Sequence, residues 1–175
     1  IESVRKDRVV FRVLEQIPVG APAASITLLA SLFKFDRFEW MVEKATELGV
    51  SAIVPVVAAR SEKGLDKAAV KRIERWRRIA LEASQQSRRA HLPEIHPVVD
   101  FEEALARRAA HSLFLDEAPG APPLTASGDV ALLAGPEGGW TEPERAHALT
   151  AGWTPASLGP LILRAETAAL AALAI

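Results

Sequence analysis

Val130-Ala131-Leu132-Leu133-Ala134 runs straight into Gly135-Pro136-Glu137-Gly138-Gly139-Trp140. The pattern of apolar run followed by glycine loop recurs at Leu158-Gly159-Pro160-Leu161-Ile162-Leu163-Arg164-Ala165-Glu166-Thr167. The first loop leaves a strand-like segment, residues 130–134, and enters a helix whose start is marked by a capping box. There the Thr141 hydroxyl accepts from a free backbone N–H and the Glu144 carboxylate reaches back to another. The second loop leaves a short run, residues 154–158, and enters an Ala/Leu-rich helix from about Ala165. Both loops therefore sit at the carboxyl ends of strands, where open α/β sheets collect their ligands. Together they read as one ligand site.

Working outward, residues 8–14 are rich in β-branched side chains and read as a strand, and the Pro, Gly and Ala of residues 18–25 read as a linker. Residues 26–31 form a buried strand. Phe38, Met41, Val42, Ala45 and Leu48 follow helical spacing, and Gly49 ends that helix. Residues 50–58 read as a strand, and a long helix over residues 66–89 places Val70, Ile73, Trp76, Ile79, Ala80 and Ala83 on one face. Trp40 and Trp76 are both taken as core. A short strand over 95–99, a helix over 101–110 capped by Asp100, and a strand over 112–115 precede the Pro-rich loop 118–123 and the two ligand loops. Strands and helices alternate, which predicts an α/β fold with a parallel sheet covered by helices on both faces.

Composition narrows the chemistry. The 175 residues suffice for one domain and a small appendage, and 21 basic against 22 acidic residues leave nucleic-acid binding to be argued from local clusters. The absence of cysteine excludes a disulfide scaffold, a thiolate metal site and a cysteine nucleophile, and it is compatible with a reducing cytoplasm. Four scattered histidines suggest no metal. No apolar stretch approaches a membrane span of roughly 20 residues, so the reading is a soluble, cytoplasmic protein. The chain opens at Ile1, which suggests that an upstream portion precedes it.

The glycines of the first loop can let the backbone approach a ligand closely beside a helix N-terminus, or simply make a tight strand-to-helix turn. A P-loop is excluded because its Lys-Ser/Thr is missing, and a nucleophile elbow because Glu137 stands where serine is needed. In the second loop, Arg164 and Glu166 lie between apolar segments, where charge is costly unless paired or turned into a cleft. They read either as a salt bridge closing the helix start or, for Arg164, as an electrostatic group facing a substrate that is or becomes negative. The helix over 66–89 carries Lys67, Lys71, Arg72, Arg75, Arg77, Arg78, Arg88 and Arg89. Such a stripe reads as a phosphate-tracking surface or as a solvated face paired with Glu74 and Glu82.

Glu43-Lys44-Ala45-Thr46-Glu47-Leu48-Gly49-Val50, residues 82–89 with Pro93-Glu94-Ile95 after them, and the two loops resemble the ribosomal RNA small subunit methyltransferase E family, a SPOUT-class family. The match runs in order from about residue 26 to residue 175. The resemblance implies S-adenosyl-L-methionine bound in a deep C-terminal trefoil knot, and methylation of N3 of one uridine in small-subunit (16S) ribosomal RNA by a homodimer. It implies that residues 26–175 form the methyltransferase domain and that residues 1–25 are a linker plus the remnant of a PUA-like β-barrel that helps to hold RNA. By the same resemblance, Leu115, Leu133, Gly135, Gly139, Leu158, Gly159, Leu161 and Leu163 bind the cofactor, and Arg88 and Arg89 with Lys34 and Arg37 contact RNA. Arg164 then stabilises the uridine anion or a nearby phosphate, and Glu137 and Glu166 are candidates to accept the N3 proton or to hold Arg164.

The sequence departs from the family pattern at the shortened N-terminal domain, at Gln85 where glutamate is frequent, and in a C-terminal helix that stops early. The missing cysteine agrees with transfer to a ring nitrogen, because methylation at pyrimidine C5 normally needs a thiol nucleophile. Two alternatives stay open: a SPOUT enzyme acting on another base or on a ribose 2′-hydroxyl, and a non-catalytic RNA-binding or assembly module.

Overall fold

The computed structural model describes residues 1–15, 18, 20 and 24–175. A two-stranded antiparallel hairpin, β1 (Ser3–Arg5) and β2 (Arg8–Val10), opens the chain, with all six strand residues exposed. The single strand expected over 8–14 is thus the second arm of a hairpin that turns at Lys6-Asp7. Part of the expected linker lies outside the described residues.

The remaining elements are β3 (Ile26–Ser31), α1 (Phe35–Glu47), β4 (Ala52–Val57), α2 (Leu65–Val70), α3 (Ile73–Gln86), β5 (Glu94–Ile95), β6 (Val99–Asp100), α4 (Phe101–Leu105), β7 (His111–Leu115), β8 (Val130–Ala134), α5 (Glu142–Thr150), β9 (Thr154–Ala156) and α6 (Ala165–Ala174). All strand pairs from β3 onward are parallel, in the order β5-β4-β3-β8-β7-β9, with β6 extending the β5 side of β4. The α/β class with a helix-flanked parallel sheet is what the alternating pattern predicts. The position of β8 is what it does not predict: this late strand lies in the middle, Leu132 pairing with both Leu28 and Leu113.

The central strands β3, β4, β7 and β8 are apolar on both faces because helices cover both. Leu28, Ile53, Leu113 and Leu132 pack with Phe38, Met41, Trp76, Ala169 and Leu173 under α1, α3 and α6. Leu29, Val54, Phe114 and Leu133, one residue along each strand, point the other way onto Leu105, Trp140, Ala148 and Trp153 under α4 and α5. Successive strand side chains alternate in this way by geometry. Each fully buried large aliphatic side chain contributes about 1.5–3 kcal/mol.

Other sequence expectations change as well, and the short strand expected over 95–99 is two separate strands, β5 and β6, each paired with β4. The long helix over 66–89 is two helices interrupted at Lys71-Arg72, where Arg72 leaves helical register to donate to Glu39 and to lie over the Phe35 ring at 4.5 Å. The helix expected over 101–110 ends after Leu105, although its Asp100 cap is present, the carboxylate accepting from the Glu103 amide at 2.8 Å. Trp76 is fully buried, whereas Trp40 is 48% exposed. At 100° per residue, position 40 stands two residues off Phe38 and Val42 and shares the outer face with Arg37 and Lys44.

Candidate functional site

At the carboxyl ends of β7, β8 and β9 the two loops enclose a cavity of about 520 Å³. That volume falls within the range of small-molecule and cofactor sites. Its walls are Leu115, Ala156, Leu158, Leu161, Leu163 and Ala168, and its polar rim is formed by Arg37, Asp116, Glu117, Glu137, Ser157 and Arg164. Gly135 and Gly159 both line it. A Cβ at Gly135 would stand 3.1 Å from the Trp140 ring, and Gly159 has φ +112°, a conformation glycine adopts without strain.

Hydrogen bonds fix the first loop on three sides. Trp140 Nε1 donates to the Leu115 carbonyl at 2.8 Å, tying the loop to β7. Arg60, in the turn after β4, donates to the Gly138 carbonyl at 2.7 Å. Arg145 donates to the Trp140 carbonyl at 3.0 Å and pairs with the buried Asp116 at 3.0 Å. The hydrogen bond to Asp116 raises the Arg145 pKa above the ordinary arginine value, against the opposing effect of burial. The capping box is present: Glu144 accepts from the Thr141 amide at 2.9 Å while Thr141 Oγ1 accepts from Glu144 N. The second Glu144 oxygen accepts from Ala59 N at 2.8 Å, so the cap also anchors the turn after β4.

The expected cofactor residues Leu115, Gly135, Gly139, Leu158, Gly159, Leu161 and Leu163 come together in this cavity. Leu133 does not line it, because its place in β8 turns it to the opposite face, into the core with Trp140 and Trp153. Glu137 and Arg164 line the rim. Among the described residues Arg164 makes no hydrogen bond or ion pair; it stands exposed as the residue preceding α6. Glu166 is 6% exposed and lies behind the cavity wall, in the first turn of α6, with its Oε1 3.8 Å from Arg37 Nε. Glu166 does not line the cavity itself; it faces Arg37, which does.

The four residues expected on RNA separate into two places. Lys34 and Arg37 stand at the start of α1, beside the cavity, whereas Arg88 and Arg89 stand at the opposite end of that helix, about 20 Å away for 13 residues. Arg89 donates to the carbonyls of Thr46 at 2.7 Å, Val50 at 2.9 Å and Gly49 at 3.4 Å, so its guanidinium closes the C-terminus of α1. Burial pushes its pKa below the ordinary arginine value. Arg88 is exposed, with φ +57°. On the basic stripe, Arg72 and Arg75 both bind Glu39 and Arg77 pairs with Glu74, leaving Lys67, Lys71, Arg78 and Arg88 as its exposed cations outside pairs among the described residues.

Sequence reasoning missed Asp116, Glu117, Arg60 and Arg145. Asp116 and Glu117 directly follow β7 and Arg60 follows β4, so the carboxyl-end rule applied to every strand, and not only to the two glycine loops, would have found three of them.

The match to the RNA methyltransferase domain model covers residues 21–175. Ribosomal RNA small subunit methyltransferase E of Bacillus subtilis is 35% identical over 99% of the chain and 73% of its own length. This chain belongs to the ribosomal RNA small subunit methyltransferase E family. The Synechocystis member is 36% identical over 85% of the chain, which spans about half (52%) of that relative. Among solved structures, the Neisseria gonorrhoeae member bound to S-adenosyl methionine superposes with a TM-score of 0.78 at 39% identity, over 86% of this chain and 64% of that one. A Legionella pneumophila methyltransferase in complex with the same cofactor gives 0.79 at 32% identity, with the same coverage. No helix among the described residues is long and apolar enough to cross a membrane.

Proposed function

We propose that this chain methylates N3 of a uridine in 16S ribosomal RNA, with S-adenosyl-L-methionine as methyl donor. The observation that carries the reading is the cavity at the carboxyl ends of β7 to β9, with its aliphatic walls, its close backbone approach at Gly135 and the unspent Arg164 guanidinium at its rim. The cavity fits the group: Leu115, Leu158, Leu161 and Leu163 supply the apolar slot for an adenine, and Gly135, Gly139 and Gly159 leave room for it. When bound, the cofactor supplies an electrophilic methyl group on a sulfonium.

The protein's part is positioning and electrostatics. Arg164 stabilises the uracil as its N3 proton leaves, and Glu137, one of the carboxylates of the same rim, receives that proton. Lys34 and the exposed Arg88 contribute phosphate contacts, whereas Arg89 braces α1.

The same reading includes a homodimer, a trefoil knot and a split of the chain at residue 25. Exposed Trp40, and Leu161 and Ile162 at 76% and 88% exposure beside the cavity, supply an apolar face for a second copy. The knot is supported by the clasp between residues 122–124 and Ser157, where Ser157 N donates to Pro122 O and Leu124 N to Ser157 O, and by the return of α6 from the sheet edge onto α1, β3 and β8. The exposed hairpin β1–β2, paired among the described residues only with itself, suits a piece of a separate RNA-holding domain.

The test is transfer of labelled methyl from S-adenosylmethionine to 16S RNA within small subunits lacking the modification, with the product nucleoside identified by mass. Label in 3-methyluridine supports the reading. Label in a ribose or another base redirects it to a different acceptor, and cofactor binding without transfer reduces the protein to a binding module.

A further inference from the structure

Arg37 lines the cavity, yet its guanidinium is already engaged by two carboxylates from two different loops. Nη1 donates to Glu137 Oε1 at 3.2 Å across 100 residues of sequence, and Nε lies 3.8 Å from Glu166 Oε1. Glu137 belongs to the first glycine loop and Glu166 to the start of α6, where the second loop ends. Among the described residues, Arg37 is the side chain that ion-pairs with both.

The Glu166 end of this bridge is buried, and its Oε2 has no hydrogen-bond partner among the described residues. A buried carboxylate is retained in charged form at a cost unless a cation or helix N-terminus faces it. Here Arg37 is the cation and the first turn of α6 is the N-terminus. Moving Arg37 out to an RNA phosphate would strip Glu166 of its only ion pair among the described residues. The arrangement therefore opposes the role of phosphate contact that sequence suggests for Arg37.

We propose that Arg37 is a positioning residue: aimed by Glu166, it ties the first loop to the start of α6 and so sets the width of the cofactor slot. The proposal rests on the cavity being the cofactor site. Because the tie joins both walls, its loss weakens cofactor binding as a whole, and because its charge already faces Glu137 and Glu166, its loss leaves the salt dependence of RNA binding unchanged.

Three readouts on the whole chain test this. Calorimetric titration with S-adenosylhomocysteine should show at least tenfold weaker binding for Arg37→Ala and partial recovery in Arg37→Lys, which keeps the charge but not the fork. Glu137→Gln should weaken binding in the wild-type background and add nothing to Arg37→Ala. The salt dependence of binding to 16S RNA should keep its slope in Arg37→Ala, whereas loss of a phosphate contact would lower it by about 0.9. Amide hydrogen exchange of the protein alone should speed up at residues 135–140 and 165–168 in Arg37→Ala, with thermal melting verifying that the variant stays folded.

Unchanged cofactor affinity, a reduced salt slope, or unchanged exchange in both segments would each overturn the proposal. Failure of the wild-type protein to bind S-adenosylhomocysteine would instead sink the cofactor reading, and the exchange experiment would still decide whether Arg37 ties the loops.

Discussion

The two ends of the parallel sheet carry arginines that look alike in sequence and behave oppositely in space. At the carboxyl end, Arg164 stands at a cavity rim with its donors unpaired among the described residues; at the amino end, Arg89 gives its donors to three carbonyls that close α1. An exposed cation with unspent donors can answer a ligand, while one that satisfies helix carbonyls is part of the frame. The difference teaches that a basic residue has to be judged by what already occupies it. By that criterion Arg72, Arg75 and Arg77 on the basic stripe belong with Arg89.

The largest effect separating the two ends should come from Arg164→Ala. Turnover should fall by roughly 10²–10³, the size of losing one preorganised donor. Affinity for S-adenosylhomocysteine should change by less than the factor of ten that about 1.4 kcal/mol represents. Single-turnover assay beside calorimetry checks this, and equal losses in both would make Arg164 structural. Next, Gly135→Trp should abolish measurable cofactor binding, since even a Cβ meets the Trp140 ring, and overpacking should cost roughly 1–3 kcal/mol of stability in denaturant melts. At the other end, Arg89→Ala should leave cofactor affinity untouched and destabilise the fold by about 1–3 kcal/mol through unsatisfied carbonyls. A change in RNA salt slope for that variant would break the comparison.

Arg88→Ala and Lys34→Ala should each lower that slope by about 0.9 without altering melting. The smallest effect concerns acid. Hydrogen bonding from Arg75, then Arg72, holds the Glu39 carboxyl below its usual range despite burial. A depressed folded-state pKa gives stability that is fully present above the ordinary glutamate value, about 4.3, and lost as pH falls through the lowered one. The melting difference between wild type and Glu39→Gln should therefore be constant near neutrality and shrink as the solution is acidified below about pH 4.

What is legible in the sequence is mostly made by local physics. The limits of β8, the Thr141–Glu144 capping box, the Gly49 stop with φ +97° and the start of α6 all follow from neighbours a few residues apart. The break between α2 and α3 was not legible, because it is made by Glu39 and Phe35, more than 30 residues away, and no glycine or proline marks it. Leu133 shows the same limit within a single strand. The family resemblance implies a cofactor wall there, but only the sheet's register decides which face it serves. The Arg37 bridge is the extreme case, since nothing in α1 announces carboxylates 100 and 129 residues downstream. Trp40 needed no long-range information; counting 100° steps from Phe38 assigns it to the outer face.

The central position of β8 has a kinetic consequence. Strands β3 and β7 lie 80 residues apart in the chain and cannot be joined into one sheet until β8 slots between them. The cavity needs α6, which follows every strand, to come back onto α1. Most stabilising contacts are thus long in sequence, and chains of that kind fold slowly because loop entropy is lost before the contacts reward it. The ligand slot, which depends on α6, is then expected to assemble late. A small molecule that bridges its two walls would slow unfolding more than it speeds folding.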